Sequence, residues 1–313
     1  MILWLVACSN PLPALVQPGV ATECGALVAG VEAERPIADV TTLAREPRRT
    51  VERRAEVRGW LRARLEPLGF VVEERPFTLA GVAGVNVVAH GAAPGRILVG
   101  AHYDSVGETP GADDNASGVA VVLEAARVLG PDVGVSWVFF DAEEPHAASV
   151  PGDGRNFAFG SQAFVDATPG AWDLAVILES VGYGCDGCQQ FPGGVPKSFP
   201  RDGRGLYQVV NRSERDWGKD LATWQAASPG HRAYSVSIPG AGRGLRQSRF
   251  SDHAAFWDAG VDAVMITDTA LLRNPHYHRA TDTADRLDPA LLADAARGTV
   301  ALVGAAAGAC GAP

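Results

Sequence analysis

Four short runs constrain this chain most: ILVGA at 97–101, VSWVFF at 135–140, LAVIL at 174–178 and AVMIT at 263–267. Each is apolar at consecutive positions, so neither face of the strand it forms can meet water. Helical patterns lie between them. SGVAVVLEAARVLG (117–130) begins in a polar stretch, Asp114, Asn115 and Ser117, suited to capping, and stops at Gly130-Pro131. Strands buried on both faces and alternating with helices predict an α/β protein with a mainly parallel sheet covered on both sides, a three-layer α/β/α sandwich.

The flanking segments fill in this plan. TVERRAEVRGWLRARLEPLGF (50–70) spaces Val51, Ala55, Leu61 and Leu65 for a helix, with Gly69 at its stop. FVVEERPFTLA and GVNVVAHG (70–80 and 84–91) read as two strands joined through GVAG, an antiparallel pair at one edge. Further helices are expected near SQAFVDA, RDWGKDLATWQAA, DHAAFWDAG and DPALLADAARGTVALVGAAAGA, a strand at GLYQVVNRS and an extended segment at RAYSVSIPG. No internal repeat or linker interrupts 21–313, which is expected to be one domain.

Composition narrows the function classes. The 313 residues are 47% hydrophobic and 20% charged, as in ordinary globular chains. A net charge of −9 without a basic stripe argues against a nucleic-acid partner. No apolar run approaches the ~20 residues of a membrane span. The start, MILWLVACSN, ends its apolar stretch in Leu-Val-Ala-Cys, which predicts an exported envelope lipoprotein with Cys8 carrying the lipid and PLPALVQPG as a tether, 1–20 in all. Cys185 and Cys188 lack the second pair a zinc ribbon needs, so a local disulfide is expected, while Cys24 and Cys310 are candidates to staple the chain ends. Nothing in the sequence calls for an obligate protein partner.

In open α/β sheets, ligands bind beyond the carboxyl ends of the strands. After ILVGA come His102 and Asp104, then Asp113 and Asp114; after VSWVFFDA come Glu143 and Glu144. Glu179 follows LAVIL, and the run at 263–267 leads to His276, Tyr277, His278 and Asp282. Imidazoles and carboxylates without thiolate suit zinc, or another divalent metal. A carboxylate bridging two cations lets many acids converge, and of the neighbours Glu143 and Glu144 one can serve as ligand and the other as base. His102 and Asp104 share a face at i and i+2, which lets Asp104 hold the ring's second N–H. Each piece also has a plain reading: DDNASG as a helix cap, AEEP as solvated acids, PHYH as a surface loop. Their common position at strand ends favours the metal site. Spacing leaves His276 and His278 open.

The series GAHYDS, GADDNASG, FFDAEE, ILESVGYG, FSDHAAFWDAG, MITDT and YHRATDT resembles the co-catalytic zinc exopeptidases of metallopeptidase family twenty-eight, the bacterial leucyl-type aminopeptidases. The resemblance implies the zinc-exopeptidase fold, two Zn2+ ions and peptide substrates. It places His102, Asp114 and Glu179 at one metal and Asp114, Glu144 and His278 at the other, Asp114 bridging, and selects His278 over His276. Glu143 matches the general base and Tyr277 the tyrosine that steadies the oxyanion; Asp252 and His253 fit a supporting SDH motif. Two departures stand out: many relatives carry Asp where this chain has Glu179, and the segment after Glu144 is long. Two rival readings remain: a glutaminyl cyclase of the same fold, working with a single zinc, and a non-catalytic binding domain, although no ligand position is broken.

Overall fold

A computed structural model describes residues 24–310 apart from 93–94, 149, 151–153, 189–200, 202, 212 and 229. The expected tether at 1–20, with Cys8, lies outside the described residues.

Among the described residues one sheet contains β1 Val71–Leu79, β2 Val82–His90, β3 Ile97–His102, β4 Val135–Phe140, β5 Leu174–Glu179, β6 Leu206–Asn211, β7 Ala233–Ile238 and β8 Asp262–Thr267. Their order is β1-β2-β4-β3-β5-β8-β6-β7. The four doubly apolar runs are the central β4, β3, β5 and β8, all mutually parallel. β1 and β2 form the expected antiparallel edge. A second antiparallel join, β8 to β6, was not anticipated, because a strand's direction depends on its connections and not on its own side chains.

The hairpin turn also differs from the expected GVAG link. Leu79 pairs with Val82, leaving only Ala80 and Gly81 as the turn, both at positive φ (51° and 84°). Two left-handed residues match the twist of the flanking strands. Gly84 lies within β2 opposite Phe77, whose ring would stand 2.5 Å from any Cβ there.

The helices are α1 Gly25–Ala29, α2 Glu34–Leu43, α3 Val51–Leu65, α4 Gly118–Leu129, α5 Phe159–Ala167, α6 Trp217–Ala227, α7 His253–Asp258 and α8 Pro289–Ala306. Alternate strand residues divide the core in two. Val99, Ala101, Trp137, Phe139, Val176 and Leu178 pack with residues of α2, α3, α4, α6 and α8. Leu98, Val138, Phe140, Ile177 and Met265 face the other way, onto Phe164 of α5 and Phe256 and Trp257 of α7. The α/β/α layering follows from that alternation. Helices α1 and α2 were not anticipated; α1 is only five residues long, with Cys24 at its N-cap bonded to Cys310 near the end of α8. Cys185 and Cys188 also form a disulfide.

Candidate metal centre

The central parallel strands deliver their last residues to one rim. His102 is the final residue of β3, and the 103–111 loop leads from it into the kinked segment Ala112–Ser117, where Asp114 and Asn115 leave helical geometry and the peptide between them is cis. β4 runs into Asp141, Ala142 (φ 55°), Glu143 and Glu144. Glu179 ends β5, and His278 (φ 58°) lies on the segment that follows β8.

Two groups of three possible ligands result: His102, Asp114 and Glu179, and Asp114, Glu144 and His278. Asp114 belongs to both. Its Oδ1 is 3.1 Å from His102 Nε2, and its Oδ2 is 3.1 Å from His278 Nε2. Glu179 Oε2 lies 3.4 Å from His102 Nε2, and Glu144 Oε2 lies 3.3 Å from His278 Nε2. Both ring nitrogens of His102 are buried without a hydrogen bond. Buried polar atoms are normally satisfied, so an Nε2 left without a hydrogen bond between the Asp114 and Glu179 carboxylates fits a cation with nitrogen and oxygen ligands. His276 turns elsewhere: its Nδ1 meets Thr281 Oγ1 at 2.9 Å and its ring stands edge-on to Tyr183.

A second layer fixes these groups. The Asp104 carboxylate accepts the backbone N–H groups of Glu143 (3.2 Å) and Glu144 (3.1 Å), and its Oδ1 lies 3.3 Å from His102 Nδ1. One side chain thereby ties the end of β3 to the loop after β4. Asp282 accepts the backbone N–H groups of Asp113 and Asp114, holding the shared carboxylate from the side of His278. Asp141 receives Val85 N at 2.9 Å on Oδ2 and faces Arg54 Nε at 2.9 Å on Oδ1. Ser251 donates its hydroxyl to Glu179 Oε2 at 2.8 Å, and Ser180 donates to Oε1 at 3.2 Å. Sequence reasoning passed over Ser251, although it is the first residue of the SDH motif that singled out its neighbours.

Burial and mutual repulsion dominate the electrostatics. Burial disfavours charge on His102, but Glu179, Asp104 and Asp114 outweigh it and hold the imidazole well above its ordinary value. His278 is pushed up to about 10: Asp114 and Glu144 overcome its burial. Asp114 is buried too, yet the two histidines hold it below the usual carboxylate range. Burial, then the negative charge of Asp114, raises Glu144 to about 7. Burial also raises Glu143 well above the ordinary range, with Glu179, Asp252 and Glu144 adding to it. Tyr277 lies flat on His278, ring centroids 3.9 Å apart, and burial beside Asp114 and Glu144 keeps its hydroxyl protonated far past the usual value. A cation between the groups would relieve this repulsion.

The SDH pair divides. Asp252 is fully buried, and burial raises it to about 7 although His102 opposes the shift. His253 faces away from both groups: its Nε2 meets the Ser248 carbonyl at 2.8 Å, and its ring stands edge-on to Trp257 at 4.5 Å. Burial lowers it to about 3, so it is a neutral packing group of α7.

A model of Peptidase family M28 matches residues 85–303. The uncharacterized protein YfbL of Escherichia coli (strain K12) is 34% identical over 251 residues, 75% of each chain. The probable lipoprotein aminopeptidase LpqL of Mycobacterium tuberculosis is 31% identical over 240 residues, which are 70% of this chain but only 45% of LpqL. The LapA aminopeptidase of Legionella pneumophila superposes with a TM-score of 0.66 at 19% identity, covering 91% of this chain and 74% of LapA. A glutaminyl cyclase of Porphyromonas gingivalis gives 0.64 at 23%, covering 88% and 99%. These two likenesses show the shared fold. With the family match spanning every strand end that contributes to the centre, the chain belongs to peptidase family M28.

Proposed function

We propose that the protein is a zinc aminopeptidase that removes N-terminal residues from peptides with two metal ions. The observation that carries this is the Asp114 carboxylate, which turns one oxygen to His102 and the other to His278. His102, Asp114 and Glu179 would hold one zinc, and Asp114, Glu144 and His278 the other. Bound zinc supplies Lewis acidity: it acidifies water and polarises a carbonyl.

This chain's own residues do the rest. Glu143 adjoins the ligand Glu144 but stands outside both ligand groups, and its carboxylate takes the proton of the attacking water and returns it to the leaving amine. The Tyr277 hydroxyl, held neutral, donates to the oxygen that gains charge in the tetrahedral intermediate. Asp104 keeps Glu143 and Glu144 in register with His102. Residues 21–313 form the catalytic unit, and 1–20 an envelope tether lipidated at Cys8; the word lipoprotein in the name of LpqL supports the location.

The test is metal counting and turnover together. Purified protein is expected to bind two zinc ions per chain and to cleave aminoacyl-nitroanilides but not their N-blocked analogues. Glu143→Gln is expected to keep both metals and to lose ~10²–10⁴ in kcat. A metal-loaded glutamine variant at full rate would remove Glu143 from its role. The likeness to a glutaminyl cyclase gives the same experiment a second arm: one zinc per chain, with cyclisation of N-terminal glutamine and no release of amino acids, would favour the cyclase.

A further inference from the structure

We infer that Arg48 is a positioning residue of the metal centre, a buried cation that sets the span between His102 and Asp114; the inference rests on the ligand assignment proposed above. Arg48 precedes the family match and lies between α2 and α3. It is fully buried and has no ion pair among the described residues, a rare combination for arginine. Its guanidinium instead donates to four backbone carbonyls: Nε to Tyr103 at 2.9 Å, Nη1 to Pro110 at 2.5 Å and to Leu43 at 3.4 Å, and Nη2 to Gly111 at 2.8 Å.

Three of those carbonyls belong to the two limbs of one loop; the fourth, Leu43, ends α2. Tyr103 follows His102 and precedes Asp104, on the leading limb. Pro110 and Gly111 stand just before Asp113 and Asp114, on the trailing limb. The backbone N–H of Arg48 adds a bond to Ser105 Oγ at 2.8 Å, and that hydroxyl donates in turn to the Thr109 carbonyl at 3.0 Å. A single rigid fork thus fixes the distance across which His102 and Asp114 meet. Its charge also acts through space on Asp104, Asp114, Asp282 and Glu144. Gly111 makes the approach possible: its φ is 64°, and a Cβ there would stand 2.8 Å from Nη2.

Lysine separates geometry from charge. It keeps the cation, but a compact ammonium on a flexible stem cannot hold both limbs at once. Arg48→Lys is expected to fold, to lose at least ~10-fold in zinc affinity by competition with a chromophoric chelator, and to lose ~10-fold or more in kcat with KM for an aminoacyl-nitroanilide nearly unchanged. Arg48→Met, which removes every donor, is expected to fall further on both measures. A role confined to packing would lower the unfolding temperature and leave zinc affinity and kcat of the folded protein as in wild type; that result overturns the inference. A lysine variant that does not fold overturns it as well, since the residue would then serve the fold as a whole. Wild type that binds no zinc would sink the ligand assignment itself.

Discussion

Asp104→Asn is a stringent probe of how the centre is held. The carboxylate serves three groups: Glu143 N on Oδ1, Glu144 N on Oδ2, and His102 Nδ1 at 3.3 Å from Oδ1. An amide has one acceptor oxygen. Whichever way it turns, at least one buried backbone N–H faces an NH2 group, at a cost of ~1–3 kcal/mol. The metal-free protein should lose that much stability in urea unfolding followed by tryptophan fluorescence. The second consequence concerns zinc. His102 loses the anion that favours a proton on Nδ1 and leaves Nε2 free to ligate, and the loss of such a partner costs ~10–100-fold in metal affinity. A chelator competition measures that number independently of turnover. The third is catalytic, because the same bond positions Glu143, so kcat should fall even at saturating zinc. An asparagine variant with wild-type stability and zinc affinity within twofold of wild type would refute the claim that Asp104 couples β3 to the loop after β4.

Tyr277→Phe should lose ~10²–10³ in kcat while zinc affinity and KM stay close to wild type, since it removes one donor to developing charge; steady-state kinetics with a zinc titration would show it. The metal-free protein should be most stable near pH 4 and lose stability from there upward. Asp282 rises from 3.8 to about 7 chiefly through burial, so the folded state binds the extra proton, and stability falls as pH rises through that window, by at most ~4 kcal/mol at ~1.4 kcal/mol per pH unit. His278, held at about 10, adds a term in the same direction between its ordinary value and about 10, whereas Asp114, held low, costs stability only in stronger acid. Urea midpoints across pH 3–9 would test the sign, and a midpoint that climbs steadily from pH 5 to 9 would contradict it. Gly298→Ala should destabilise by ~1–3 kcal/mol with catalysis intact, because a Cβ there would stand 2.2 Å from the Trp224 ring of α6.

The central layer was legible because β3, β4, β5 and β8 are apolar on both faces, a pattern few other environments explain. The candidate ligand set was legible for a related reason: His102 and Glu179 are the last residues of their strands, and Glu143 and Glu144 follow within four residues of another. The turn at Ala80 was misplaced because alanine does not advertise a left-handed backbone as glycine does. The choice of His278 over His276 needed the family pattern, since two histidines two positions apart look alike until the structure sets one beside Asp114 and the other on Thr281. Arg48, Ser251 and the backbone contacts of Asp282 were hidden because they act on residues 55 to 169 positions away, a relation that local spacing cannot encode.

The Cys24–Cys310 bond sits far from the candidate metal centre. Cys310 lies against Gly304, where a Cβ would also meet Leu27 and Leu129, the last residue of α4. Asp114 stands just before the first residue of that helix, Gly118, and twelve residues at ~1.5 Å each separate the two ends by ~18 Å. The disulfide therefore lies at the pole opposite the candidate metal ligands. A lipid anchor at Cys8, as proposed above, would join the described chain at Cys24, at the pole away from the candidate ligands, and leave that rim clear of the attachment point.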